Sequence, residues 1–298
     1  MSLISVQNLT RDYGRGRGVF DLSFSIEEGE VFGFLGPNGA GKTTTIRHLM
    51  GFLEPRQGKC SIKGYDCWQQ RPVIQSDLGY IPGEIAFLNG MKGGDFLAFI
   101  ARYRGKNGLD RIDELVDRFE VDLSEPLKKM SKGSRQKVGI IAAFMHDPAV
   151  LILDEPSSGL DPLMQNRFVD LILEEKKRGK TVLLSSHMFE EVERTCDRVA
   201  IIRKGRLAAE DDIDILKQNR LRRYRLPMAS EEAARAFASE YNGESKVRGP
   251  IVELKVFDDL KEMTQLMARY PLENLSAPDL SLEEIFLQYY GDDGGGES

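Results

Sequence analysis

The chain has 298 residues, enough for two domains and for a core that needs neither disulfides nor a structural metal to hold it. Its 41 Lys and Arg against 47 Asp and Glu leave a formal charge of −6, which argues against nucleic acid as the main partner. The longest apolar runs, Gly139 to Met145 and Ala149 to Leu153, fall far short of the roughly 18 residues of a membrane span. The N-terminus lacks a secretory-signal pattern, so the cytosol is the expected compartment.

In chain order, the β-rich runs Ile4 to Leu9, Val19 to Ile26, Val31 to Leu35, Lys59 to Gly64 and Leu78 to Ile81 surround one helical stretch over 42–53. In that stretch Ile46, Leu49, Met50 and Leu53 follow a helical period, and Gly51 and Pro55 mark where it stops. Residues 91–127 read as mainly helical, with Phe96, Leu97, Ile112, Leu115 and Phe119 among the apolar positions. Ala149 to Leu153 and Thr181 to Ser185 are short apolar runs either side of the amphipathic stretch Pro162 to Arg178, the pattern of a βαβ unit in a parallel sheet. Arg198 to Arg203 and Arg206 to Ala209 read as a hairpin turning at Lys204-Gly205. Beyond residue 217 the order of runs is βαββαβα: a strand at Tyr224 to Leu226, a helix over 230–241, strands flanking Gly249-Pro250, a helix over 258–269, a strand over 272–276 and a helix over 281–290. That order predicts a ferredoxin-like α+β layer over 218–290, followed by a Gly-rich, charged tail at 291–298 expected to be disordered. Cys60, Cys67 and Cys196 lack metal-type spacing and are read as reduced, Cys196 on a buried helix face.

The chemistry concentrates in two segments. Gly36-Pro37-Asn38-Gly39-Ala40-Gly41-Lys42-Thr43 satisfies GxxxxGK[ST], and it lies where the mechanism requires it, after an apolar strand and before a helix. Its glycines let successive N–H groups face a polyphosphate, Lys42 reaches the β and γ phosphates, and the Thr43 hydroxyl is placed to ligate Mg²⁺. The second segment lies 112 residues after Lys42, where the apolar run ends in Asp154-Glu155-Pro156. Asp154 is a candidate for holding Mg²⁺ through water, and Glu155 for polarising the water that attacks the γ-phosphate.

These two segments occur together with Met130-Ser131-Lys132-Gly133-Ser134-Arg135-Gln136 upstream, Ser158-Gly159-Leu160-Asp161-Pro162 downstream and His187 after the next strand. In that order and spacing, residues 2–216 resemble the ATP-binding-cassette (ABC) ATPases, in which those segments are the signature motif, the D-loop and the switch histidine. Gly79-Tyr80-Ile81-Pro82-Gly83-Glu84, the Ser-Lys-Gly signature and the ending Leu282-Glu283-Glu284-Ile285-Phe286-Leu287 look most like the branch that includes antibiotic and drug exporters. The resemblance implies an α/β P-loop NTPase fold over 1–217: a RecA-like core, an antiparallel β subdomain and a helical subdomain. It also implies that Tyr13 stacks on adenine, that Gly39 to Thr44 wrap the phosphates, Ala40 and Thr44 included, and that His187 contacts the γ-phosphate. Ser131 and Gly133 would complete the ATP site of an opposite subunit in a homodimer, with a heterodimer as the alternative. By the same resemblance, the chain drives a membrane permease on a separate polypeptide from the cytoplasmic face of the membrane. The cargo would be a drug, peptide antibiotic or lipid, and residues 80–110, with Phe87, Leu88 and Tyr103, would form the docking groove.

The sequence departs from the family pattern in two places. Lys132 and Ser134 flank Gly133 where the signature usually has Gly and Gln. Gly83, beside Glu84, stands where the family usually carries the Gln of the Q-loop, so the magnesium contact of that loop must come from Glu84 or water, unless the loop is only a mechanical link. A soluble ABC protein of translation or DNA maintenance is the rival from another class, but such members carry two cassettes or a long coiled coil, and here there is one P-loop with only residues 43–130 between it and the signature. A P-loop kinase or GTPase would leave the signature, D-loop and His187 unexplained.

Overall fold

The computed structural model describes residues 2–87, 90–104, 109–218, 222–256 and 261–270. In the first part of the chain, β1 (Ser2–Asp12), β2 (Gly18–Glu27), β3 (Val31–Leu35), α1 (Lys42–Leu49), β4 (Gln57–Ile62), β5 (Tyr65–Asp66), α2 (Arg71–Ser76) and β6 (Leu78–Ile81) follow one another. Helices α3 (Gly93–Arg104), α4 (Leu109–Phe119) and α5 (Lys132–Phe144) come next. The α/β half then runs β7 (Val150–Asp154), α6 (Pro162–Lys177), β8 (Thr181–Ser186), α7 (Phe189–Thr195), β9 (Arg198–Arg203) and β10 (Arg206–Asp212).

Two sheets result. The antiparallel one has the order β2-β1-β4-β5, and its second strand alternates buried and exposed residues as a sheet covered on one face should. The other has six strands in the order β10-β9-β3-β8-β7-β6, parallel except for the edge strand β10. Every residue of β3, β7 and β8 is buried, which is why these strands read as unbroken apolar runs with no alternation. The two sheets share one core with α1: Leu22, Phe24 and Ile26 of β2 pack with Phe32 and Phe34 of β3 and with Ile46 and Leu49 of α1. Phe24 and Phe32 stack with centroids 5.5 Å apart.

The hairpin β9–β10 turns at Lys204-Gly205 as expected, with φ of 47° and 76°, the two left-handed residues that a tight hairpin requires. Elsewhere the elements differ from the sequence reading. Helix α1 stops at Leu49, short of 53: Gly51, at φ 67°, donates to the His48 carbonyl and Phe52 to the Arg47 carbonyl, a Schellman closure that leaves Leu53 outside. The stretch 91–127 holds two helices that end at Phe119, because Glu120 is left-handed at φ 49° and Lys92 bridges to Pro126. Cys196 caps the C-terminus of α7 and is not on a helix face. All three thiols are free and buried, and burial raises the pKa of each, for Cys60 and Cys196 to about 12.

A second compact unit begins at Ile213. Its described elements are α8 (Ile213–Gln218), β11 (Arg222–Pro227), α9 (Glu231–Glu240), β12 (Glu244–Arg248), β13 (Ile251–Val256) and α10 (Lys261–Met267). The antiparallel order β11-β13-β12 is that of the first three strands of a βαββαβ layer, closed around Tyr224, Leu226, Phe237, Val252 and Leu254. The strand expected over 272–276, the helix over 281–290, the tail and Leu88 lie outside the described residues. No described helix is long and apolar enough to cross a membrane.

Candidate functional site

Neighbouring parallel strands place their carboxyl ends side by side, and in this sheet β3, β8 and β7 are neighbours. Leu35 pairs with Ser186 and Asp154 with Ser185, so the loop after β3, the turn at His187 and the Asp154-Glu155 corner open at the same end of the sheet. Residues far apart in sequence are thereby brought into hydrogen-bond contact.

The loop after β3 is shaped by its glycines. Gly39 has φ 81° and Gly41 φ 117°, and a Cβ on Gly41 would lie 2.8 Å from Val19 Cγ1, so only glycine fits there without strain. Gly41 is also the N-cap of α1 and has no side chain to spend on the first-turn N–H groups. Lys42 is 5% exposed; its ammonium donates to the Gly36 carbonyl at 2.5 Å and to the Pro37 carbonyl at 3.4 Å, and pairs with Glu155 Oε1 at 3.1 Å. The Thr43 hydroxyl donates to Asp154 Oδ2 at 2.8 Å, and Ser185 Oγ donates to Asp154 Oδ1 at 2.5 Å. Glu155 is left-handed at φ 51°, a backbone strain of about 1–2 kcal/mol, and its N–H is held by the Ser185 carbonyl at 3.0 Å. Its second oxygen, Oε2, bonds His187 Nδ1, while the His187 ring is 53% exposed.

A cavity of about 280 Å³ opens over this array. Of the residues expected at a nucleotide, Tyr13, Asn38, Gly39, Gly41, Lys42, Thr43, Thr44 and Glu155 line it. Gly36 and Ala40 lie behind the wall: the Gly36 carbonyl holds Lys42, and the Ala40 N–H turns back to the Pro37 carbonyl at 3.1 Å. Arg11 sits 5.5 Å from the Tyr13 ring centroid and orients that exposed ring at the lip. Arg17, Gly18 and Pro37 also line the cavity and were not singled out from sequence. The signal for Arg17 was a cation in a glycine-rich turn four residues after Tyr13, a turn closed by the Tyr13 N–H on the Arg17 carbonyl at 2.8 Å. Ser185 was missed as well, and its signal was a serine pair ending an apolar strand.

Ser131 and Gly133 do not reach this cavity. Ser131 is the N-cap of α5, and its Oγ accepts from the Ser134 N–H at 3.0 Å. A Cβ on Gly133 would lie 2.7 Å from the Gly159 carbonyl, and Lys132 donates to Ser158 Oγ at 3.1 Å, so the signature segment packs on the segment following Glu155. Gly83 borders the site: a Cβ there would lie 3.1 Å from Asp154 Oδ2, so a side chain at this position would be aimed at that carboxylate. Neighbouring Glu84 is exposed. Burial and then the charge of Asp154 push the Tyr80 phenol up to about 12, so it stays protonated beside that carboxylate.

Residues 19–158 match the family model for the ABC transporter. The chain is 34% identical over 301 residues to an uncharacterized ABC transporter ATP-binding protein, YhcH, of Bacillus subtilis (strain 168), covering 98% of this chain and 97% of that one. It is 37% identical over 227 residues to the bacitracin transport ATP-binding protein BcrA of Bacillus licheniformis, covering 75% and 74% of the two chains. Among solved structures, an ATP-binding subunit of an ABC transporter superposes with a TM-score of 0.68 at 33% identity, over 73% of this chain and 92% of that one. The cavity over the phosphate loop, the Lys42–Glu155–His187 contacts and a relative matched end to end agree: this chain belongs to the ABC transporter family, as one of its ATP-binding, ATP-hydrolysing subunits.

Proposed function

We propose that this chain is the ATP-driven subunit of an exporter whose membrane-spanning part is a separate polypeptide, working as a homodimer at the cytoplasmic face of the membrane. The observation that carries the reading is that one chain holds a complete hydrolytic set, Lys42 and His187 each in contact with Glu155, while its Ser131 and Gly133 lie away from that set. A second copy would supply them. A homodimer is favoured because both Glu155 and His187 are present, so neither site would be degenerate.

In this reading adenine stacks on Tyr13, the N–H groups of Gly39 to Thr44 and the Lys42 ammonium hold the phosphates, and Arg17 adds a cation at the lip. Incoming γ-phosphate takes over the Lys42 ammonium from Glu155 and frees that carboxylate to accept a proton from the attacking water. His187 orients Glu155 through Nδ1 and presents its exposed ring edge toward the γ-phosphate. Thr43 and Asp154 form a hard oxygen donor pair, 2.8 Å apart and anchored by Ser185, which suits Mg²⁺ held also by water and phosphate. Bound there, Mg²⁺ would neutralise charge on the β and γ phosphates. Ser131 and Gly133 of the second copy would close over the γ-phosphate, and hydrolysis would release them, so that opening and closing is passed to the permease.

The likeness to a bacitracin transport subunit favours a drug, peptide antibiotic or lipid as cargo. For the docking groove over 80–110, Tyr103, 85% exposed on α3, is the better contact. Phe87 packs edge-to-face on Phe96 with centroids 4.9 Å apart, and so serves at least partly to fill the helical subdomain. The soluble alternative in translation or DNA maintenance has no observation in its favour. Purification from membranes tests the reading: the chain should co-purify with a hydrophobic partner, and Tyr103→Asp should abolish transport while leaving the ATPase of the free subunit unchanged. Recovery of the chain without any membrane partner would overturn it.

A further inference from the structure

Behind the Glu155–His187 pair lies a carboxyl group that the mechanism has not used. Glu191, on α7 four residues after His187, is 4% exposed. Ser186 Oγ donates to its Oε2 at 2.7 Å and itself accepts the Met188 N–H at 3.0 Å, so this carboxyl is tied to the residues on both sides of His187. The other oxygen, Oε1, is buried and lacks a hydrogen-bond partner among the described residues. Ser157, two residues after Glu155, is also buried and lies close enough to act on the same carboxyl. Its hydroxyl also lies 3.7 Å from the Met188 sulfur.

We propose that Glu191 is a positioning residue for hydrolysis, one that clamps the segment after Glu155 to the segment bearing His187 by accepting from Ser186 and engaging Ser157. The proposal rests on the reading of Glu155 and His187 as the hydrolytic pair. Burial raises the pKa of this carboxyl most strongly, the Ser186 and Ser157 hydroxyls lower it, Glu155 adds a like charge and His187 opposes it, so the net direction is upward. The clamp matters because Glu155 is strained and its position depends on bonds to Ser185, Lys42 and His187, so a shift of the His187 segment moves the base directly.

The test compares steady-state kcat and KM for ATP in Glu191→Ala, Glu191→Gln and Ser157→Ala, with Glu155→Gln and His187→Ala as references. Glu191→Ala should lower kcat roughly tenfold with KM little changed, since nothing on the phosphate-binding wall moves. Glu191→Gln keeps one acceptor and one donor without charge and should restore kcat to within about twofold of wild type. Ser157→Ala, which leaves the α7 side intact and serves if Glu191→Ala does not fold, should lose about threefold in kcat. The proposal is overturned if Glu191→Ala turns over like wild type, if Gln is as slow as Ala, if KM rises in step with the fall in kcat, or if Ser157→Ala is unaffected. Wild-type turnover in Glu155→Gln or His187→Ala would instead strike the underlying hydrolytic reading.

Discussion

Helices α1 and α5 begin at the two motifs proposed to meet phosphate, but their first turns are occupied differently. At α1 the N-cap is Gly41, which offers no side-chain acceptor, so the leading N–H groups face the cavity with Lys42 and Thr43. At α5 the N-cap is Ser131, whose hydroxyl is already engaged by the Ser134 N–H, and the neighbouring Lys132 is engaged by Ser158. The first end is prepared to receive an anion within the chain. At the second, one first-turn N–H is already held by the Ser131 hydroxyl. If a second copy supplies Ser131 and Gly133, as proposed above, the cap residue would separate the half of an ATP site that works from within one subunit from the half offered to another.

The severest way to break this contrast is to remove the cation at α1. Lys42→Ala should abolish turnover and weaken ATP roughly 30- to 150-fold, the worth of about 2–3 kcal/mol from charge-assisted hydrogen bonds. A fluorescent-nucleotide titration with unchanged affinity would deny α1 its phosphate role. Next in size, Glu155→Gln keeps the shape of the site but removes the base, and should slow turnover by about 10²- to 10⁴-fold while ATP still binds. In size-exclusion chromatography this variant should run as a dimer with ATP and as a monomer with ADP. The same elution volume with both nucleotides would remove the need for α5 in the site. The smallest effect sharpens the contrast: adding Ser131→Ala to Glu155→Gln should lose the ATP-dependent dimer yet keep ATP binding. The melting temperature should fall by about 2–4 °C, the cost of one lost N-cap near 1 kcal/mol in a unit of this size. A dimer that persists would show that Ser131 only caps its helix.

The parts of the fold that could be read in sequence were those with a local cause. Strands β3, β7 and β8 stood out because burial on both faces demands an unbroken apolar run, and the β9–β10 turn because Lys204-Gly205 must be left-handed. Short elements did not stand out: α2 has six residues and α7 seven, too few to show a period, and each is stabilised by what it packs against. The end of α1 was misplaced for a related reason. Leu53 matches the helical spacing, but Gly51 reverses the chain two residues earlier.

By itself, the sequence determined the phosphate loop and the class of chemistry, because that cradle is a contiguous segment whose conformation follows from where its glycines fall. Only the tertiary structure decided which side chains act together. The Thr43–Asp154 hydrogen bond spans 111 residues, and those of Ser185 with Asp154 and of His187 with Glu155 span 31 and 32. Each exists because strand order, which no local pattern encodes, sets β8 between β3 and β7. Arg17 reaches the cavity by the path of a turn, and Glu191 lies buried behind His187 because α7 packs on that sheet, so neither could be told from an ordinary surface charge before the chain had folded.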